Sequence, residues 1–502
     1  MYPPAALDND RLPSGASSLV PLCVDLDGTL VKSDTLYDSA LAVARHRPSV
    51  LLQFPGWLLQ GKAALKRHIA SVVQLDVAHL PYNRELLQYL EQQNASGREM
   101  YLATAADASI AQRVAEHLGL FTGVLASDGS LNLAGKNKLQ AFQSRFGDQF
   151  AYIGNALPDL TLLEHCQQPM VANPTPALAA GLRKIRITPV RTFEDRVSGI
   201  KAWPKAMRLH QWAKNVLIFL PLILAHVRAP GLVAAALLAF ISFGLCASAT
   251  YIVNDLLDLE ADRQHPRKCR RPFASGDLSV LSGAVVIALF LAASLVLALL
   301  VPYAVSAFSR GLALGQPHAF LLWLAIYLVT TLSYSLRLKR AVLVDVIVLS
   351  GLYTIRILAG SAATGVLVST WLAGFSIFFF LSLAFVKRFA ELENLRERGG
   401  SSASGRGYHV ADIEQLRSFG SASGYASVVV LTLYISNLDA AHLYHHTTRL
   451  WLLVPVLLLW VSRLWLQASR GQLNEDPVVY AITDRRSLLL GVVVVGIVLS
   501  AL

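Results

Sequence analysis

Residues 251–276 read YIVNDLLDLEADRQHPRKCRRPFASG. An uncharged run ends here in three aspartates, Asp255, Asp258 and Asp262, and five basic residues follow: Arg263, Arg267, Lys268, Arg270 and Arg271. On one continuous helix the i, i+3, i+7 spacing sets the three carboxylates within about 80° of one another. Carboxylates so placed repel unless a divalent cation neutralises them. Hard oxygen ligands of this kind suit Mg²⁺, which usually also bridges substrate phosphates. The cations that follow are suited to hold the anion itself.

The stretch belongs to an uncommon composition. Of 502 residues, 54% are hydrophobic and 15% charged, against roughly 25% charged in a soluble domain. The deficit lies in 206–502, while 1–198 reads as a mixed, soluble segment. Disordered, collagen-like and disulfide-scaffold classes are excluded. Uncharged stretches near the roughly 20 residues needed to cross a bilayer occur at 231–254, 278–309, 311–336, 361–386 and 418–438. Shorter or interrupted ones lie at 215–227, 341–360, 450–469 and 487–502, for nine expected spans. If the N-terminus is cytoplasmic, the internal loops 254–277, 337–340, 387–417 and 470–486 carry 5, 3, 6 and 3 Lys or Arg. The external connections hold only Arg228, Arg310 and Arg449. That is the positive-inside asymmetry, and it accounts for a net charge of +11 without any nucleic-acid motif. Cys23, Cys166, Cys246 and Cys269 show no paired spacing and read as reduced thiols. Asp8 and Asp10 precede any apolar run, unlike a signal peptide, so the first domain is expected in the cytoplasm.

The pattern NDxxDxxxDR with nine spans resembles the UbiA superfamily of intramembrane prenyltransferases. The resemblance implies an all-α ring of nine transmembrane helices around a central cavity, with Asn254, Asp255, Asp258 and Asp262 lining a Mg²⁺–diphosphate site. The second motif departs from the family. Members acting on aromatic acceptors carry DxxxD there, whereas here Asp345 is followed by Leu349, among the cations Arg337, Lys339, Arg340 and Arg356 and beside Tyr334. Further cations stand at the expected cytoplasmic ends of spans: Arg208 and Lys214 with Gln211, Trp212 and Asn215; Lys387 and Arg388 with Glu391; and Arg485 with Asp476 and Asp484. Together these resemble the decaprenyl-phosphate phosphoribosyltransferase branch. That branch implies transfer of 5-phosphoribose from phosphoribosyl pyrophosphate to a polyprenyl phosphate. Substrate contacts are expected from Lys214, Asn215, Asn254, Lys268, Arg271, Tyr334, Lys339, Arg356, Lys387 and Arg388. The alternative is a prenyltransferase joining a prenyl diphosphate to an aromatic acceptor.

Residues 19–30, LVPLCVDLDGTL, run an apolar strand into Asp25, Asp27, Gly28 and Thr29. This DxDGT pattern resembles the haloacid dehalogenase superfamily of Mg²⁺-dependent phosphotransferases. By resemblance Asp25 is the nucleophile and Asp27 its acid–base partner. Thr104, ending the strand REMYLATAAD, binds phosphate, and Lys138 (Lys136 as fallback) steadies it. Asp159 joins Asp25 and Asp27 on the metal, while Asn155 stands where an acid is common. The expected architecture is multidomain: an α/β Rossmann-like domain at 1–195 with a helical cap near 36–95, a linker at 196–207 and an all-α membrane domain at 208–502. A bifunctional protein of the bacterial inner membrane is expected. Its catalytic aspartates would be Asp25, Asp27, Asp255, Asp258 and Asp262, and a homo-oligomer remains open.

Overall fold

The computed structural model describes residues 20–128, 132–308, 314, 316–397, 399, 406–437, 443–473 and 477–502. Leu19, Arg310 and Asp476 lie outside the described residues. The chain divides into two compact units, Met1–Ala206 with Asp255–Gly283, and Met207–Asn254 with Ala284–Leu502. The acidic stretch from Asp255 onward thus belongs with the N-terminal unit.

Six short strands form the sheet of the first unit: β1 (Leu22–Val24), β2 (Met100–Asp107), β3 (Gly123–Ser127), β4 (Ala151–Gly154), β5 (Gln168–Ala172) and β6 (Arg191–Phe193). β1 and β4 are buried at every position, as in a parallel sheet covered by helices on both faces. All pairings are parallel, in the order β3-β2-β1-β4-β5-β6. One face packs Leu22, Val24, Leu102 and Ile153; the other packs Cys23, Tyr101, Phe142 and Tyr152. The strand order reverses between β1 and β4, and ligands of such sheets bind outside the strand C-termini at that switch. Asp25 follows β1 and Asn155 follows β4, so the topology delivers both to one crevice. β2 continues past Thr104 to Asp107.

Between β1 and β2 the chain is helical. Asp34 caps the helix Thr35–His46 through the backbone N–H groups of Leu36 and Tyr37. The short turns Pro48–Gln53 and Phe54–Leu59 follow, then Lys62–Val72 and Arg84–Ala95.

Among the described residues of the chain, seven helices are long and apolar enough to cross a membrane: Pro230–Leu257, Val280–Phe308, Ala319–Leu336, Val344–Thr364, Thr370–Glu397, Val410–Ile435 and Thr447–Ser469. The two terminal expected spans fall short of that measure. Leu209–Phe219 winds as a 3-10 helix before the brief helix Leu220–Leu224, and Arg485–Ala501 has 17 residues. Small residues set the closest helix approaches. A Cβ at Gly360 would lie 2.0 Å from the carbonyl oxygen of Ile218, whereas one at Gly351 on the same helix would meet nothing within 4 Å.

The two glycines therefore predict opposite effects. Gly360→Ala forces backbone apart and destabilises the membrane unit by about 1–3 kcal/mol. Gly351→Ala is neutral or stabilising by up to about 1 kcal/mol, from helix propensity. Thermal unfolding of the two variants in one detergent reads the difference.

Candidate functional site

The DxDGT turn is held open by glycine. Gly28 has φ +76°, and a Cβ there would lie 2.1 Å from the side-chain nitrogen of Asn155. Behind it Lys138 donates to Asp25 Oδ1 at 2.8 Å and to the Tyr152 hydroxyl at 2.8 Å. Tyr152 in turn donates to Asp159 Oδ1 at 2.7 Å. The other Asp159 oxygen accepts the backbone N–H groups of Asn155 and Ala156, each at 3.0 Å. Asp27 accepts the Thr35 N–H at 2.7 Å, at the start of the following helix. Lys138 is buried and Lys136 exposed, which selects between the two.

Asp159, expected on the metal, has both oxygens accepting hydrogen bonds that pin the β4 loop and orient Tyr152. Thr104 is fully buried, with its hydroxyl accepting the Ala106 N–H at 3.0 Å. Asp25, buried, and Asp27, half-buried, form a pair of hard oxygen donors. Burial pushes the Asp25 carboxyl up to about 6 against the pull of Lys138, with Asp159 adding to the rise. Burial, then the neighbouring Asp34, pushes Asp27 to about 8. Two carboxylates forced toward neutrality by burial and mutual repulsion fit a divalent cation, which would complete its shell with water and phosphate oxygens. Among the described residues no group of three or more His, Cys, Asp or Glu is spaced to hold a metal.

The acidic stretch does not form one continuous helix. The long helix ends at Leu257, and Asp258, at φ −94° and ψ 11°, starts the short helix Leu259–Gln264. The break separates the three carboxylates that an unbroken helix would have aligned. Asp255 and Asp262 converge on Arg271, at 3.0 and 2.6 Å. Asp258 instead meets Arg45 of the helix Thr35–His46 at 3.1 Å. Arg45 also donates to the Leu257 carbonyl. The same helix offers Asp38 to Arg263 at 2.9 Å. Burial raises the Asp262 carboxyl against the pull of Arg271. A guanidinium thus sits where two carboxylates meet, a donor set that suits a cation. Lys268 lies exposed in the turn Lys268–Arg270, and Asn254 is half-buried in the last turn of the long helix.

Within the second unit two buried arginines differ. Arg388 is answered in full: its Nε pairs with Asp345 at 2.5 Å, and it reaches Glu391 and the Tyr334 hydroxyl, the latter at 2.9 Å. Tyr408 donates to the other Asp345 oxygen. Arg356, 4% exposed, donates to Asn215 Oδ1 at 2.9 Å and to the Leu352 carbonyl. Its guanidinium also lies 5.1 Å from the Tyr327 ring centre and 5.7 Å from that of Tyr353. Among the described residues no carboxylate pairs with it. Lys214 stands 5.5 Å over the Tyr353 ring, and the Asn215 side-chain nitrogen is buried without a partner. Lys214, Asn215 and Arg356 therefore converge, while Tyr334 joins Arg388. Lys339 and Lys387 are each half-buried.

Sequence reading missed Arg45, Tyr152, Tyr327, Tyr353 and Tyr408. Tyr327 and Tyr353 lie in apolar helices, Tyr152 in β4, Tyr408 outside any helix and Arg45 in the helix Thr35–His46, and none carries a signal until its partner is seen. It also missed Arg463, which forks onto Asp484 at 2.6 and 3.1 Å. A lone arginine within an uncharged run was the available clue.

Comparison with known proteins gives the following likenesses. The model of the UbiA prenyltransferase family matches residues 216–483. Uncharacterized protein y4nM of Sinorhizobium fredii is 38% identical over 487 residues, 96% of this chain and 91% of that protein. Nodulation protein NoeC of Azorhizobium caulinodans is 36% identical over 286 residues, 57% of this chain and 88% of that one. Decaprenyl-phosphate phosphoribosyltransferase of Mycobacterium tuberculosis is 35% identical over 207 residues, 39% of this chain and 62% of that enzyme.

Two predictions come from the buried charges. Carboxyls whose folded pKa is raised support the fold at low pH, and that support is lost as pH climbs through the folded value. Metal-free protein should therefore lose thermal stability between the ordinary aspartate range and about 8, the Asp27 value. Asp27→Asn should flatten that loss and Mg²⁺ should reverse it, as read by melting curves at several pH values; an unchanged slope in Asp27→Asn would refute the assignment. Asp345→Ala leaves Arg388 buried with its main partner gone and should destabilise by about 3–5 kcal/mol. The detergent-solubilised variant's denaturation midpoint measures it.

Proposed function

Because the chain belongs to the UbiA prenyltransferase family, its membrane domain joined to a haloacid dehalogenase-like N-terminal domain, we propose that it transfers 5-phosphoribose from phosphoribosyl pyrophosphate to a polyprenyl phosphate. The N-terminal domain then removes the 5-phosphate. The observation that carries the reading is Arg356: a buried guanidinium among aromatic rings, with Lys214 and Asn215 beside it and no carboxylate pairing with it among the described residues. A buried charge without its counter-ion is costly, so the missing anion is assigned to substrate phosphate. The likeness to decaprenyl-phosphate phosphoribosyltransferases supports the donor, and the single acid Asp345, already committed to Arg388, speaks against an aspartate-rich second prenyl-diphosphate motif.

In this reading Asn254, Asp255, Asp258 and Asp262 would hold Mg²⁺, on which enzymes of both families generally depend. When bound, the ion would supply charge neutralisation on the departing pyrophosphate. Arg271 moves from the Asp255–Asp262 pair toward phosphate. An oxygen of the lipid phosphate attacks the anomeric carbon as the bond to pyrophosphate breaks, and being anionic already it requires no strong base. Lys214 and Arg356 donate to the phosphates and orient them. In the N-terminal domain Asp25 attacks phosphorus, forming an aspartyl-phosphate. Asp27, pushed to about 8, carries the proton that the leaving sugar oxygen takes. Lys138 keeps Asp25 in place. Water then cleaves the intermediate.

The proposal includes nine spans and a cytoplasmic N-terminal domain. At about 2.0 Å rise per 3-10 residue and 1.5 Å per α residue, 209–224 measures about 30 Å, the thickness of the hydrocarbon core. Four internal loops with 5, 3, 6 and 3 basic residues support the orientation in a bacterial inner membrane.

Purified protein is given phosphoribosyl pyrophosphate, Mg²⁺ and a polyprenyl phosphate, and the lipid products are weighed by mass spectrometry. The phosphoribosyl lipid should fall about 100-fold or more in Asp258→Ala and Arg356→Gln. In Asp25→Ala it should accumulate while its dephosphorylated form disappears. No ribosylated lipid from any sample would end this reading and turn attention to prenyl diphosphates.

A further inference from the structure

The segment between Arg47 and Lys62, PSVLLQFPGWLLQG, holds no charge at all. It folds as the two short turns Pro48–Gln53 and Phe54–Leu59, and neither buries a single residue. Leu52 is 85% exposed, Leu58 52% and Leu59 91%. A soluble domain rarely spends its leucines this way in one contiguous stretch. The turns are not loose: Trp57 stacks on His68 of the helix Lys62–Val72, ring centres 5.0 Å apart, and packs beside Phe54 at 5.6 Å. The aromatic stack therefore anchors the segment at its base and leaves the leucines outermost.

The surrounding charge is of one sign. Between Asp38 and Asp76 there is no acidic residue, whereas Arg45, Arg47, Lys62, Lys66 and Arg67 all fall in that interval. Arg45, Lys66 and Arg67 are tied to other groups of the unit, and Arg47 and Lys62 are exposed at the two ends of the apolar run. Exposed leucines and an interfacial tryptophan, bracketed by cations, make up the composition of an element lying in the headgroup region of an anionic bilayer.

We propose that residues 48–59 are a membrane-contact hairpin, seated in the interface of an anionic lipid surface. The chain's own spans keep a bilayer permanently at hand, so the leucines need no separate protein partner. The consequence goes beyond the two activities. The phosphatase-like domain is then held at the lipid surface by its cap.

The full chain, with Cys166 and Cys269 replaced by Ser, is reconstituted at one copy per nanodisc and labelled with an environment-sensitive fluorophore at Leu59→Cys or, as a control, at the exposed Glu91→Cys. The Leu59 label should shift to the blue and be quenched by nitroxide lipids, more strongly in phosphatidylglycerol-rich than in pure phosphatidylcholine discs. The Glu91 label should answer only to aqueous iodide. Adding Leu52→Asp and Leu58→Asp should abolish the lipid quenching without changing the melting temperature. A Leu59 label as open to iodide as the control overturns the proposal. Protection that appears only in discs holding two copies overturns it too, in favour of self-association. Neither readout depends on catalysis, so failure here leaves the proposed reactions standing.

Discussion

A charge withdrawn from water must be answered within ion-pair reach, and this chain is organised around how it meets that demand. Lys138 answers Asp25 in the sheet crevice, Arg271 answers Asp255 and Asp262 in the acidic stretch, and Arg388 answers Asp345 within the membrane unit. Each pairing fixes the elements that supply its members. The Asp25 contact ties the helix Lys136–Phe146 to the end of β1. The Arg388 contact ties the helices Val344–Thr364 and Thr370–Glu397, with Tyr334 and Tyr408 closing the ring of donors. Against that background Arg356 is the exception, its charge met by aromatic faces, Asn215 and a carbonyl.

The proposed chemistry is placed where charges are crowded or lack a counter-ion. Asp25 and Asp27 are held together against their own repulsion by a glycine turn and a buried lysine, a geometry that a cation and a phosphate would relax. The helix Thr35–His46 starts at the N–H group that Asp27 accepts and carries Asp38 and Arg45, which hold Arg263 and Asp258. One rigid element of the N-terminal unit thus touches both acidic motifs of the chain. A shift of that helix moves side chains of both at once.

Motifs read from local spacing survived best where the neighbours in sequence are also the neighbours in space. The DxDGT turn and seven of the nine apolar runs belong to this class. The alignment of Asp255, Asp258 and Asp262 did not survive, because it assumed helix through Asp258 and the backbone breaks there. Asp159, expected on the metal by resemblance, also accepts from Tyr152 and two backbone N–H groups, contacts that no motif announces. The partner of Asp258, Arg45, comes from 213 residues away, whereas those of Asp159 lie within seven residues of it.

By itself the sequence determined which segments are apolar enough to leave water, which turn needs a glycine, and where carboxylates and cations accumulate. Hydrophobic period, side-chain size and formal charge are properties of residues and require no partner to exist. Only the tertiary structure decided which charge answers which: that Arg388 is committed to Asp345 while no carboxylate among the described residues answers Arg356, that Arg45 reaches Asp258, and that the leucines at 52, 58 and 59 face outward. Those outcomes depend on distances of a few ångströms between segments tens to hundreds of residues apart. Burial and the low dielectric that make such distances matter arise only once the chain has packed.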